Sequence, residues 1–240
     1  MKTLGLIGGL TVQSTAVYYQ KLHDAMRAKT GDDKTSELLM WSFNYEDVLP
    51  LYLHNKPGYI KAVADAGLRL RSAGADGLMI LSNSAHMGAK NLADVTGLPV
   101  IHILDAIAAE IKMRNLKRPL VIGTDFVMEG DYYLPGLKSR VPVDPIVPSP
   151  EDVKTLDKIL FTELAYGNVK DTSRRFYIDV IDKAEKRGAD SVILGCTEHC
   201  MLLDQSHHNL PMLDSTALHI KAAVDFQLFS FSVKHSKRFL

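Results

Sequence analysis

At 240 residues, 46% hydrophobic and 23% charged, the chain has the composition of an ordinary globular protein, with room for one large core or two moderate ones. Basic and acidic residues number 28 each, so no electrostatic footprint for nucleic acid or an anionic membrane is expected. The opening MKTLGLIGGL is too short and lacks the cleavage pattern of a secretion signal, and no run reaches the roughly 20 apolar residues of a membrane helix. The expected location is the cytoplasm and the expected partner a small molecule.

Short runs of Val, Ile and Leu alternate with longer segments of helical period, the pattern of parallel strands covered by helices on both faces. In chain order the pattern predicts a strand at 4–7, a helix over 13–27, a strand at 38–43, a helix over 61–72, strands at 77–81 and 99–101, and a helix over 102–114. A second set follows, with strands at 120–122, 143–146, 191–194 and 212–213 and helices over 151–166, 172–186 and 215–226. A proline-dense stretch at 142–150 surrounds the second strand of that set. The tail from Phe229 is basic and apolar, and is expected either to lack structure or to pack on a partner subunit.

The chain also contains itself twice. GADGLMILSNSAH, from Gly74, recurs as GADSVILGCTEH from Gly188, 114 residues on, and the same spacing carries Ser82 onto Cys196. KTLGLIGG from Lys2 answers to KRPLVIGT from Lys117, and LPVIHILD from Leu98 to LPMLDST from Leu210. The expected fold is therefore α/β, with two pseudo-symmetric lobes at 1–115 and 116–227, each a four-stranded, mainly parallel sheet flanked by helices, and a tail at 228–240. The last helix is expected to be able to pack back on the first lobe. Ligands of such sheets bind at the carboxyl ends of the strands. Those ends carry Gly8 and Gly9 with Thr11, Ser14 and Thr15; Ser82, Asn83 and Ser84; Gly123 and Thr124; and Gly195, Cys196, Thr197 and Glu198. All four are expected to converge on a cleft between the lobes.

Cys196 ends a buried strand and precedes a helix expected from Thr197, a setting that draws a thiol pKa down from about 8.5 and favours a base or nucleophile. An inert buried cysteine is the rival reading. A hydroxyl such as Ser82 cannot rest ionised without an adjacent base, and its rival role is a helix N-cap. Asn83, Ser84, Thr124 and Thr197 are donors for a ligand carboxylate or caps. His86 and Glu198 lie within a turn of Ser82 and Cys196, in reach to orient or deprotonate a neighbour. Cys196, His199, Cys200, His207 and His208 match no metal signature, so no metal is expected. Two cysteines four residues apart are expected as reduced thiols. The glycines of GLIGG lack the G-x-G-x-x-G spacing of a dinucleotide site.

At these residues the chain resembles the aspartate/glutamate racemase family over about residues 1–227. The marks are GLIGG with Ser14 and Thr15, SNSAH from Ser82, the Gly123–Thr124 pair, ELAYGN from Glu163 and GCTEH from Gly195. The resemblance implies a cofactor-independent racemase of two similar α/β lobes, with a cysteine from each lobe flanking the substrate Cα. Cys196 matches the second-lobe cysteine, and Asn83, Thr124 and Thr197 match positions that usually hold the α-carboxylate. The family's CNTAH here reads SNSAH, so Ser82 replaces the first-lobe thiol. Val127 stands where a second carboxylate-binding threonine is common, the loop NYEDVLPLYL from Asn44 offers no arginine where aspartate-using members often have one, and Ala165 is near a usual lysine position. The expected function is racemisation of an amino acid without pyridoxal phosphate, by Cα proton abstraction with an asymmetric Ser82/Cys196 pair, in a homodimer with no cofactor. The alternatives are a one-cysteine decarboxylase of the same superfamily and an inactive carboxylate-binding paralogue.

Overall fold

The structure, a computed structural model, describes residues 1–31 and 33–235. It divides into two compact units, Met1–His102 with the stretch from His219, and Ile103–Leu218. The first unit runs β1 (Leu4–Gly8), α1 (Val12–Thr30), β2 (Leu38–Ser42), α2 (Tyr45–His54), α3 (Lys56–Ser72), β3 (Gly77–Ile80), a 3-10 turn at Ser84–Gly88, α4 (Ala89–Thr96) and β4 (Val100–Ile101). Its strands are all parallel in the order β2-β1-β3-β4. The period of two in the strands separates their faces. Ile7, Leu78 and Ile80 pack on Tyr59, Val63, Leu70 and Leu92. Leu4, Leu6, Met79 and Leu81 pack on Tyr18, Leu22 and Met26, with Ile220 and Val224. Burial on both faces is why these strands read as unbroken apolar runs.

The second unit runs α5 (Ile103–Arg114), β5 (Pro119–Ile122), α6 (Asp125–Met128), α7 (Tyr133–Lys138), α8 (Pro150–Thr162), a 3-10 turn at Leu164–Tyr166, α9 (Asp171–Lys186), β6 (Ser191–Leu194), α10 (His199–Leu202), a 3-10 turn at Gln205–His207 and β7 (Met212–Asp214). The closing helix α11 (Ser215–His235) starts here, and from His219 it belongs to the first unit. The sheet is parallel with order β5-β6-β7. The repeat is visible in its hydrogen bonds. Asp76 Oδ2 accepts from the Thr3 N–H, and Asp190 Oδ2 from the N–H groups of Lys117 and Arg118. Gly74 and Gly188, at φ 101° and 91°, make the same left-handed turn two residues before each aspartate.

Four expectations change. The fourth strand expected at 143–146 forms a single bridge, Ile146 beside Leu120: the Asp144 and Ile146 N–H groups bond to the Lys117 and Pro119 carbonyls, and the next positions in phase, Pro142 and Pro148, have no N–H with which to extend a ladder. The division falls after His102 rather than near 115, since Ile103, Leu104, Ile107 and Ile111 of α5 pack with Val121, Ile193 and Leu213 of the second sheet. The NYEDVLPLYL segment is largely helix α2, with Pro50 inside it. Helix α11 continues past Phe226 to His235 and absorbs most of the expected tail; residues 236–240 lie outside the described residues. No helix among the described residues is long and apolar enough to cross a membrane.

Candidate active site

In the first unit the chain leaves β3 through Leu81, whose N–H bonds to the Ile7 carbonyl, and enters Ser82–Ser84. Ser82 is half-buried, with its Oγ 3.3 Å from the Ser84 Oγ, while Asn83, Ser84 and His86 are buried. The following 3-10 turn has Asn83 at its N-cap position and no side-chain cap bond, so Ser82 is not the helix cap its residue type suggests. His86 Nδ1 donates to the Ser82 carbonyl at 2.7 Å. Thr11 caps α1, accepting from the Ser14 N–H at 3.1 Å. Ser14 Oγ donates to the Leu81 carbonyl at 3.0 Å, and Thr15 Oγ1 accepts from the Gly9 N–H at 2.8 Å and donates to the Thr11 carbonyl at 2.9 Å. The Ser14 and Thr15 protons are thus committed to backbone, and their oxygens offer lone pairs only.

In the second unit Gly195 N–H bonds to the Ile122 carbonyl at 2.7 Å, as Leu81 does to Ile7. The Cys196 thiol then donates to Glu198 Oε2 at 2.9 Å, the same i to i+2 contact that joins Ser82 to Ser84. Here the sequence expectation of a lowered pKa is overturned. Helix α10 has four residues and starts at His199, not Thr197, so its dipole is too small and too far from Cys196 to favour a thiolate. Burial, and next the Glu198 carboxylate, push the thiol well above its ordinary pKa. Thr197 and Glu198 are buried. Thr124 holds the N-cap position of α6, yet its Oγ1 is buried with no hydrogen-bond partner. The fully buried Val127 fills the space beside these strand ends: a Cβ on Gly123 or Gly195 would lie 2.5 or 3.1 Å from its Cγ1.

Two buried phenols here went unremarked in the sequence, where His199 figures only as a candidate metal ligand. The Tyr133 and Tyr177 phenols are held above their usual range by burial and then by the proximity of Cys196. His199 stands edge-on to Tyr177 at 5.3 Å with neither ring nitrogen hydrogen-bonded, and burial depresses its pKa to about 3. Both cysteines are free thiols. Among the described residues the one cluster of three potential metal ligands is Asp182, Glu185 and His208. His208 Nδ1 accepts from the Leu210 N–H at 3.0 Å, so the proton of the neutral ring sits on Nε2, which faces Asp182 at 3.0 Å as a donor rather than a ligand. Cys196, His199, Cys200 and His207 form no such cluster, and His207 pairs with Asp204 in a capping box.

Residues 7–223 match the Asp/Glu/Hydantoin racemase family. The chain belongs to that family. The broad specificity amino-acid racemase RacX of Bacillus subtilis is 20% identical over 228 residues, 94% of this chain and 98% of RacX. A protein from Yersinia pestis, solved by crystallography as a candidate Asp/Glu racemase, is 31% identical, with a TM-score of 0.89 over 95% of this chain and 100% of that one. An aspartate racemase homologue from Pyrococcus horikoshii is 28% identical, with a TM-score of 0.82 over 95% and 99%. The family is one of racemases, which are isomerases, and RacX is an amino-acid racemase.

Proposed function

We propose that this member of the family is an amino-acid racemase independent of pyridoxal phosphate and of any other cofactor, in which Cys196 takes the Cα proton and Ser82 returns one. The observation that carries the reading is the Cys196 thiol bonded to the Glu198 carboxylate at 2.9 Å. A thiol with raised pKa becomes a base only if its own proton has somewhere to go, and Glu198 is a buried acceptor within reach. After that transfer the thiolate accepts the Cα proton, the C–H pair moves into the carboxylate as an enediolate, and a proton from Ser82 makes the new C–H bond. Water or His86 then restores the Ser82 hydroxyl, and Glu198 gives its proton to water, so every group ends as it began.

The enediolate needs donors that strengthen as its charge grows. Thr124 Oγ1, buried and unpartnered, suits that role, and Asn83, Ser84 and Thr197 are assigned with it. Ser14 and Thr15 present lone pairs and are assigned to the substrate ammonium, with Thr11 holding their turn. Helix α2 carries Glu46 and Asp47 and no arginine, which supports a substrate range not limited to acidic amino acids, as does the breadth named for RacX. A homodimer working in the cytoplasm belongs to the same proposal and rests on the family resemblance.

A thiol held protonated also favours a second reading, one-sided protonation of an enediolate as in a one-cysteine decarboxylase. Incubating the protein with each enantiomer of an amino-acid panel in D2O separates the readings. Deuterium at Cα with inversion is the expected result, deuterium with retention supports a one-base enzyme, and no deuterium across the panel leaves a carboxylate-binding protein.

A further inference from the structure

Behind Ser82 lies a group of rings of which the racemase chemistry above uses only His86. His86 stands 4.7 Å from His102 and 5.2 Å from His219, centroid to centroid, and His219 meets Tyr18 edge-on at 5.8 Å. His219 and Tyr18 are fully buried. The partners of His219 fix its tautomer. The Ile101 carbonyl, 2.7 Å from Nε2, can only accept, so Nε2 carries the proton and Nδ1 accepts from the Tyr18 hydroxyl at 3.1 Å. Burial, and then His86, hold this ring neutral. His86 is fixed the other way, its Nδ1–H donating to the Ser82 carbonyl.

Both peptide planes that meet at the Ser82 Cα are thereby clamped. Ser14 Oγ holds the Leu81 carbonyl on one side, and His86 holds the Ser82 carbonyl on the other. Two fixed planes fix the direction of Cβ, and so the arc on which Oγ can lie. We propose that His219, fixed in one orientation and tautomer by Tyr18 and the Ile101 carbonyl, is a positioning residue that braces the His86 ring and through it aims the Ser82 hydroxyl. Tyr18 follows Ser14 by one turn of α1, so a single helix supplies both the clamp on Leu81 and the support for His219.

The proposal rests on Ser82 serving the reaction as read above, and its test has one arm that does not. In spectra of protein carrying 15N-labelled histidine near neutral pH, His219 is expected as the Nε2–H tautomer and His86 as Nδ1–H, and the His86 signals should shift or broaden in His219→Leu. In D2O, His219→Leu should slow deuterium entry with inversion about tenfold from either enantiomer, because Ser82 acts in both directions, and should slow exchange with retention at the Cys196 face less than about twofold. Tyr18→Phe, which removes one oxygen and keeps the ring, should give a smaller loss in the same direction and keeps the test open if His219→Leu does not fold. Retained exchange that falls as far as inversion, or unmoved His86 signals, would overturn the positioning role. A wild-type protein that exchanges neither enantiomer removes the racemase reading and the catalytic half of the proposal, while the histidine spectra still decide whether His219 braces His86.

Discussion

Cys196 rests as an acid, and in the proposed mechanism Glu198 decides whether it can act as a base. Burial is the larger cause of its raised pKa and the carboxylate the second, so the thiolate gains population as pH rises and exchange begun by Cys196 should climb with pH. Glu198→Gln keeps a hydrogen-bonding partner and removes the proton acceptor, while burial still disfavours the thiolate. Exchange near pH 7 should then fall by about 10²-fold, the lower end of the range for general-base help, and recover in part at higher pH. An unchanged or faster rate would mean that Glu198 only opposes the thiolate. At Ser82 the hydroxyl touches Ser84 and caps no helix, so Ser82→Cys is expected to leave stability nearly untouched. It should speed the slower direction most, because a thiol ionises far more readily than a hydroxyl. Initial rates from each enantiomer at saturating substrate check this, and a kcat unmoved in both directions would remove Ser82 from the proton path.

At the scale of elements, the strand-to-helix turns hold the reactive ends in place. Gly9 turns the chain from β1 to α1 at φ 76°, and a Cβ there would lie 2.3 Å from the backbone N and O of Phe43. Gly9→Ala should cost at least about 1–2 kcal/mol from the left-handed conformation alone, with the clash added, and thermal unfolding measures it. A variant as stable as the wild type would show that the turn relaxes freely. Most strands were legible in sequence because burial on both faces writes them as unbroken apolar runs, and the repeat from Gly74 to Gly188 located Ser82 and Cys196 at equivalent strand ends. The strand at 143–146 was misread because apolar composition does not register missing N–H groups at Pro142 and Pro148. The thiol was misread because its pKa depends on where α10 begins and on what Glu198 faces, and neither is a local property of GCTEH. His219 lies 137 residues from Ser82 in sequence, and only tertiary packing reveals its link to that residue through His86.

For the whole molecule, two fully buried neutral histidines set the acid limit of stability. His199, with a pKa of about 3, and His219, also depressed, take up protons in the unfolded chain near pH 6.5 but not in the folded one. The unfolded state therefore binds more protons, and stability falls as pH drops below about 6.5, by about 1.4 kcal/mol per pH unit for each ring. His199→Phe, which keeps a ring against Tyr177, should lessen that slope by one residue's share, read from denaturant unfolding between pH 6.5 and 5. An unaltered slope would show that His199 is protonated in the fold or neutral in both states. The family, the repeated strand ends and the thiol–carboxylate contact all bear on a single claim, that Cys196 moves the Cα proton. The most direct test compares wild type and Cys196→Ala in D2O with both enantiomers of each amino acid. Deuterium should enter Cα with inversion in the wild type and not at all in a folded Cys196→Ala protein, whereas undiminished exchange in that variant would contradict the account.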